Sequence, residues 1–186
     1  NASPTITNPR FEGNQAIFGG AMYNNGTTSG TSKGVSNPTI KNTTFANNKA
    51  LDPRTATDPA NAISGQGGAM LNWGGGGTSS PTIDSCTFSG NTAVADGGAI
   101  LNWGLSGVSS PSIINSTFSG NSSGTQGGAI NNYGFVGKSN PTIVNSTFSG
   151  NAANTGGAII NIGTWGAATP VISGSILWGN TVSGTG

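Results

Sequence analysis

Very few side chains are available for chemistry in this sequence. The 186 residues include no histidine and one cysteine, Cys86, so Ser-His, Cys-His and His-metal arrangements are absent. The acids are Glu12, Asp52, Asp58, Asp84 and Asp96. A glycoside hydrolase needs two carboxyl groups facing one bond, and a lyase needs a base or a calcium cluster beside its acids. Asp52 and Asp58 flank Arg54 in a Pro-bounded stretch, a grouping that reads as local ion pairing. Gly74 to Gly77 resembles a phosphate loop in composition, but no Lys and no helix follow, so it reads as a flexible turn. Cys86 shares its repeat position with Thr43, Ser116 and Ser146, which marks it as a buried small residue. We expect no catalytic residue, no metal site and no cofactor; the chain reads as a non-enzyme.

Charge excludes another class of function. Six basic and five acidic residues cannot form the basic stripe that a nucleic-acid backbone requires. Eight of those charges lie before residue 60. No apolar run approaches the roughly 20 residues of a membrane span. The sequence opens at Asn1 without a charged-then-apolar leader, as a mature secreted chain or a trimmed fragment would.

The elements that must position any site come from an internal repeat. Pro-x-Ile units begin at Pro4, Pro38, Pro81, Pro111, Pro141 and Pro170, spaced 34, 43, 30, 30 and 29 residues apart. Phe-x-x-Asn follows in each unit (Phe11/Asn14, Phe45/Asn48, Phe88/Asn91, Phe118/Asn121, Phe148/Asn151), with Leu177/Asn180 as an altered last copy. Gly-Gly-Ala-(Met/Ile) comes next, starting at Gly19, Gly67, Gly97, Gly127 and Gly156. Gly and Pro interrupt every segment, which excludes helical repeats. Each unit reads as three short strands that cannot bury their apolar residues alone, and stacking the turns buries them as columns. The spacing predicts one all-β domain over 1–186, a right-handed single-stranded parallel β-helix of about six coils with about 30 residues per coil. A loop is inserted at 51–66 in the second coil.

Three columns should make the core: Ile6 to Ile172, Phe11 to Leu177, and Met22 to Ile159. Strand alternation turns Asn24, Asn72, Asn102, Asn132 and Asn161 inward as an amide ladder. The Asn of each Phe-x-x-Asn is expected to cap the following turn in a left-handed conformation.

Gly-Gly-Ala-Ile paired with Phe-x-x-Asn is similar to the repeats of the polymorphic outer-membrane proteins of chlamydiae. The resemblance implies a surface-displayed parallel β-helix, typically an adhesin carried as an autotransporter passenger. No outer-membrane barrel segment follows in this sequence, so the passenger role has no support from it.

Two outward surfaces stand out. Tyr23, Leu71, Trp73, Leu101, Trp103, Tyr133, Ile160 and Ile162 should form an apolar row suited to subunit packing or to stacking on a sugar ring. Thr87, Ser89, Thr117, Ser119, Thr147 and Ser149 should form a hydroxyl lattice like the Thr-rich faces of ice-binding solenoids. Neither end of the repeat array has a polar cap, which fits a fragment of a longer solenoid or subunits stacking head to tail into a fibre. The expectation is an extracellular or cell-surface structural or adhesive solenoid whose partner is itself. Binding of ice or of polysaccharide, including cell-surface glycans, is the competing class.

Overall fold

The computed structural model describes residues 1–52 and 64–183. Among the described residues every regular element is a strand, and all the strand pairs are parallel. The strands stack as four parallel sheets, three of six strands and one of five, so the chain is a β-solenoid of about six turns.

The first sheet stacks Thr5–Thr7, Thr39–Lys41, Thr82–Asp84, Ser112–Ile114, Thr142–Val144 and Val171–Ser173. The second runs from Arg10–Glu12 through Thr44–Ala46, Thr87–Ser89, Thr117–Ser119 and Thr147–Ser149 to Ile176–Trp178. The fourth contains Met22–Asn25, Met70–Trp73, Ile100–Trp103, Ile130–Tyr133 and Ile159–Ile162. Between second and fourth lies a sheet of two-residue strands, from Gln15–Ala16 to Thr181–Val182. Four sheets replace the three expected from sequence. Two residues are too few to show an alternating pattern.

The register matches the columns read from the repeats. Ile6 pairs with Ile40 and so on to Ile172, Phe11 with Phe45 and on to Leu177, and Met22 with Met70 and on to Ile159. The Phe rings stack at centroid separations of 5.1, 4.7, 4.7 and 4.7 Å. The spacing of neighbouring strands is about 4.8 Å, so the sheet itself dictates the ring separation. The first and second sheets meet at a corner whose residues (Asn8, Asn42, Ser85, Asn115, Asn145, Gly174) all have positive φ. The next column points inward. Cys86 sits there among hydroxyls, its N–H donating to Ser116 Oγ at 3.1 Å and its thiol to the Asp84 carbonyl at 3.3 Å. Burial pushes the Cys86 thiol up from its ordinary value.

Two amide ladders complete the interior. The expected one joins Asn24, Asn72, Asn102, Asn132 and Asn161 through Nδ2–H···Oδ1 bonds of 2.8–2.9 Å. The second is formed by the Asn of Phe-x-x-Asn, and here the structure corrects the turn-cap reading. Asn48, Asn91, Asn121 and Asn151 are fully buried and do not have positive φ. The left-handed residue is the one before the Asn in all six coils: Gly13, Asn47, Gly90, Gly120, Gly150 and Gly179. Asn121 Nδ2 donates to the Phe88 carbonyl of the preceding coil and to Asn151 Oδ1 of the following one. Its Oδ1 accepts both the N–H and the Nδ2–H of Asn91.

Candidate interaction surfaces

The few ionisable side chains are scattered over the solenoid. Glu12 and Arg10 form an exposed ion pair at 2.7 Å on the first coil. Asp84 lies in register with Lys41, on the outside of the first sheet, and accepts from Ser85 Oγ at 3.0 Å. Asp96 lies near the fourth sheet, where burial raises its carboxyl pKa against the opposing effect of Thr125 Oγ–H and Gln126 N–H bonds. Asp52 accepts from Ser64 Oγ at 2.6 Å, while Arg54 and Asp58 lie outside the described residues. Among the described residues no three His, Cys, Asp or Glu side chains are grouped to hold a metal ion. No helix among them is long and apolar enough to cross a membrane.

The apolar row on the fourth sheet does point away from the central core, but most of it is covered. Leu71, Leu101 and Trp103 are buried in a second apolar cluster with Phe18, Trp73, Leu105 and Tyr133. Phe18 comes from the turn before the strand, and Leu105 from the loop that returns to the first sheet. Leu71, Leu101 and Trp103 are therefore not part of an open face. Tyr23 is exposed, and Trp73, Tyr133, Ile160 and Ile162 are half-buried.

One position in this row is anomalous. Asn131 occupies the column of Leu71, Leu101 and Ile160, is 1% exposed, and leaves its Oδ1 without a partner. Its Nδ2 reaches Gln126 Oε1 only at 3.4 Å. A buried orphan acceptor costs about 1–3 kcal/mol. Asn131→Leu is therefore expected to raise the urea midpoint, corresponding to a gain of about 1 kcal/mol or more, at an unchanged m-value. A lower midpoint would show that the amide is satisfied.

The hydroxyl lattice lies where the repeats place it. Thr87, Thr117 and Thr147 are register partners, as are Ser89, Ser119 and Ser149. Thr87 and Thr117 are exposed and the other four are half-buried. The lattice ends abruptly: Arg10 precedes Thr44 in the Thr column, and Ile176 follows Thr147.

A further row escaped the sequence reading. Four of the five loops from the fourth sheet to the first carry Gly-x-x-Gly: Gly74–Gly77, Gly104–Gly107, Gly134–Gly137 and Gly163–Gly166. These glycines are packed tightly and are not a flexible turn. A Cβ on Gly77 would lie 2.1 Å from the Gly26 carbonyl oxygen, and one on Gly104 would lie 2.0 Å from that of Lys138. The third position is left-handed in all four: Gly76, Ser106, Val136 and Trp165 have φ of 75°, 52°, 55° and 51°. Backbone bonds of 2.9–3.0 Å from Gly76, Ser106 and Val136 N–H to the next turn's carbonyl hold the tips in register. The recurrent glycine pair was the available signal, hidden because Gly74 to Gly77 alone looks like low complexity.

The family model for the Chlamydia polymorphic membrane protein repeat matches residues 85–102 and 115–133. The chain carries this repeat. The two matched stretches run from the positive-φ corner through the Phe and Gly-Gly-Ala-Ile strands of the third and fourth coils. No curated protein and no solved structure matches the chain.

Proposed function

We propose that the chain acts as a non-enzymatic structural or adhesive rod displayed at the cell surface or outside the cell, and that copies of it associate head to tail. The observation that carries this reading is the polymorphic membrane protein repeat set in a solenoid whose strands stack in continuous parallel columns, a geometry that a second copy could extend. Ile172, Leu177 and Val182, which point inward, are exposed on the last described coil. Open edges of parallel strands are templates for pairing.

Only a translation along the solenoid axis brings all the columns of two copies into line, setting Ile172 on Ile6 and Leu177 on Phe11. A two-fold arrangement would turn the strands antiparallel and break the columns. The amides agree in sense, because Asn180 Nδ2 points toward the position where Asn14 Oδ1 of the next copy would lie. Pairing at such a joint involves three sheets, since the fourth has one strand fewer. The low net charge offers little repulsion.

Size-exclusion chromatography with light scattering tests the reading. Wild type should form concentration-dependent oligomers. Leu177→Lys, which would bury an unpaired charge at the joint, should reduce them to monomer. Thr117→Lys, on the side of the rod, should leave them intact. A wild-type monomer at high concentration removes the head-to-tail reading.

A further inference from the structure

The loop tips of the fourth and fifth turns have no explanation within the fold. Val136 and Trp165 occupy left-handed positions that suit glycine, as Gly76 shows in the same column. A β-branched or bulky residue there is strained. Strain is ordinarily offset by burial, yet Val136 is 52% exposed and Trp165 is 81% exposed. Neither side chain therefore gains from the fold what its backbone position costs.

The two tips are nevertheless held in place. The Val136 N–H bonds to the Thr164 carbonyl at 3.0 Å, and Phe135 meets the Trp165 indole edge-on at a centroid distance of 5.5 Å and an interplanar angle of 66°. Phe135 rests in turn on Tyr133 at 6.0 Å, and Tyr133 on the buried Trp103 at 5.6 Å. A chain of rings thus runs from the second apolar cluster to one indole with an open face. Charge narrows the partner: beyond Asp96 the sequence has a single charged residue, Lys138. A polyanion or an anionic membrane surface would find one cation there, too few for binding driven by charge. Hydroxyls border the tips at Ser106 and Thr164.

We propose that Phe135, Val136 and Trp165 form a stacking platform for a neutral polysaccharide, with the indole taking the apolar C–H face of a pyranose ring. Tip strain is then the cost of presenting an oriented aromatic, recovered when the sugar covers it. The platform lies on the side of the rod, so it is independent of head-to-tail association.

The test is retention on microcrystalline cellulose and on chitin, with affinity electrophoresis in a soluble galactomannan. Wild type should bind at least one of the three. Trp165→Ala should weaken that binding at least about tenfold, as loss of an anchoring aromatic does. Trp178→Ala should bind like wild type; Trp178 is 75% exposed but lies on the second sheet. Trp165→Gly should lose binding while keeping or raising the thermal midpoint, a combination that a structural role would not produce. Failure of wild type on all three polysaccharides, equal losses for Trp165 and Trp178, or a lowered midpoint for Trp165→Gly would each overturn the proposal. So would retention on phosphatidylglycerol vesicles in place of the polysaccharides.

Discussion

Gly98→Ala is expected to cost more than about 3 kcal/mol, beyond the usual overpacking penalty, and to collapse the cooperative unfolding transition. The second glycine of Gly-Gly-Ala does not have positive φ. Its restriction is one of space. A Cβ on Gly98 would lie 2.0 Å from the Gly128 carbonyl oxygen and 2.6 Å from the Ser122 carbonyl carbon and oxygen. Those are backbone atoms of the next coil, fixed by their own ladders, so the coils would have to separate. The column repeats the demand: a Cβ added to Gly20 or Gly68 would lie 2.2 or 2.0 Å from the corresponding carbonyl oxygen, and one added to Gly128 would lie 2.0 Å from that of Gly157. Gly120→Ala is the comparison, because its φ is +61° and nothing lies within 4 Å of its added Cβ. It should cost only the left-handed penalty of about 1 kcal/mol. Equal urea midpoints for the two variants would disprove the close approach of the coils.

Asn121→Ala should be comparably damaging for a different reason. The Phe88 carbonyl loses a donor, and the N–H and Nδ2–H of Asn91 lose their acceptor, all at positions without solvent. At about 1–3 kcal/mol for each buried group left unpaired, the loss should be at least about 3 kcal/mol. Asn121→Asp separates this effect from shape. A carboxylate cannot donate to Phe88 or Asn151, and burial disfavours its charge, so its folded pKa is raised above the unfolded value. The protonated form then favours the fold, and stability is lost as pH rises through and above the ordinary aspartate range of about 4. Equilibrium unfolding followed between pH 3 and 8 should show the Asp variant weakening toward neutrality relative to wild type. A flat difference would mean that the site is hydrated.

The columns were legible because a strict repeat fixes register without any knowledge of the third dimension. Every Ile, Phe and Met/Ile partner followed from spacing, as did the inward turn of Asn24 and its equivalents. The second ladder was misplaced by one residue: Asn commonly takes left-handed turns, and Asn121 was assigned the role that Gly120 performs. The adjacent Gly was the clue. Leu71, Leu101 and Trp103 show a different limit. Alternation correctly turned them away from the central core, but whether an outward side chain meets water depends on the loops. Neither Phe18 nor Leu105 belongs to the strand pattern that a periodicity search reads. The left-handed tips at Val136 and Trp165 were invisible for the opposite reason, since neither residue type signals positive φ.

Both amide ladders run in one sense. Five bonds in one and four in the other all carry Nδ2–H from a coil to Oδ1 of the next, toward the C-terminal end. In the Phe-x-x-Asn ladder the sense is fixed, because each accepting Oδ1 also accepts a backbone N–H. Side-chain dipoles aligned head to tail add, as peptide dipoles do in an α-helix, and neighbouring members polarise one another. A nearly uncharged rod built this way has an electrical direction: in every coil the ladder hydrogens face the C-terminal side and the ladder oxygens the N-terminal side.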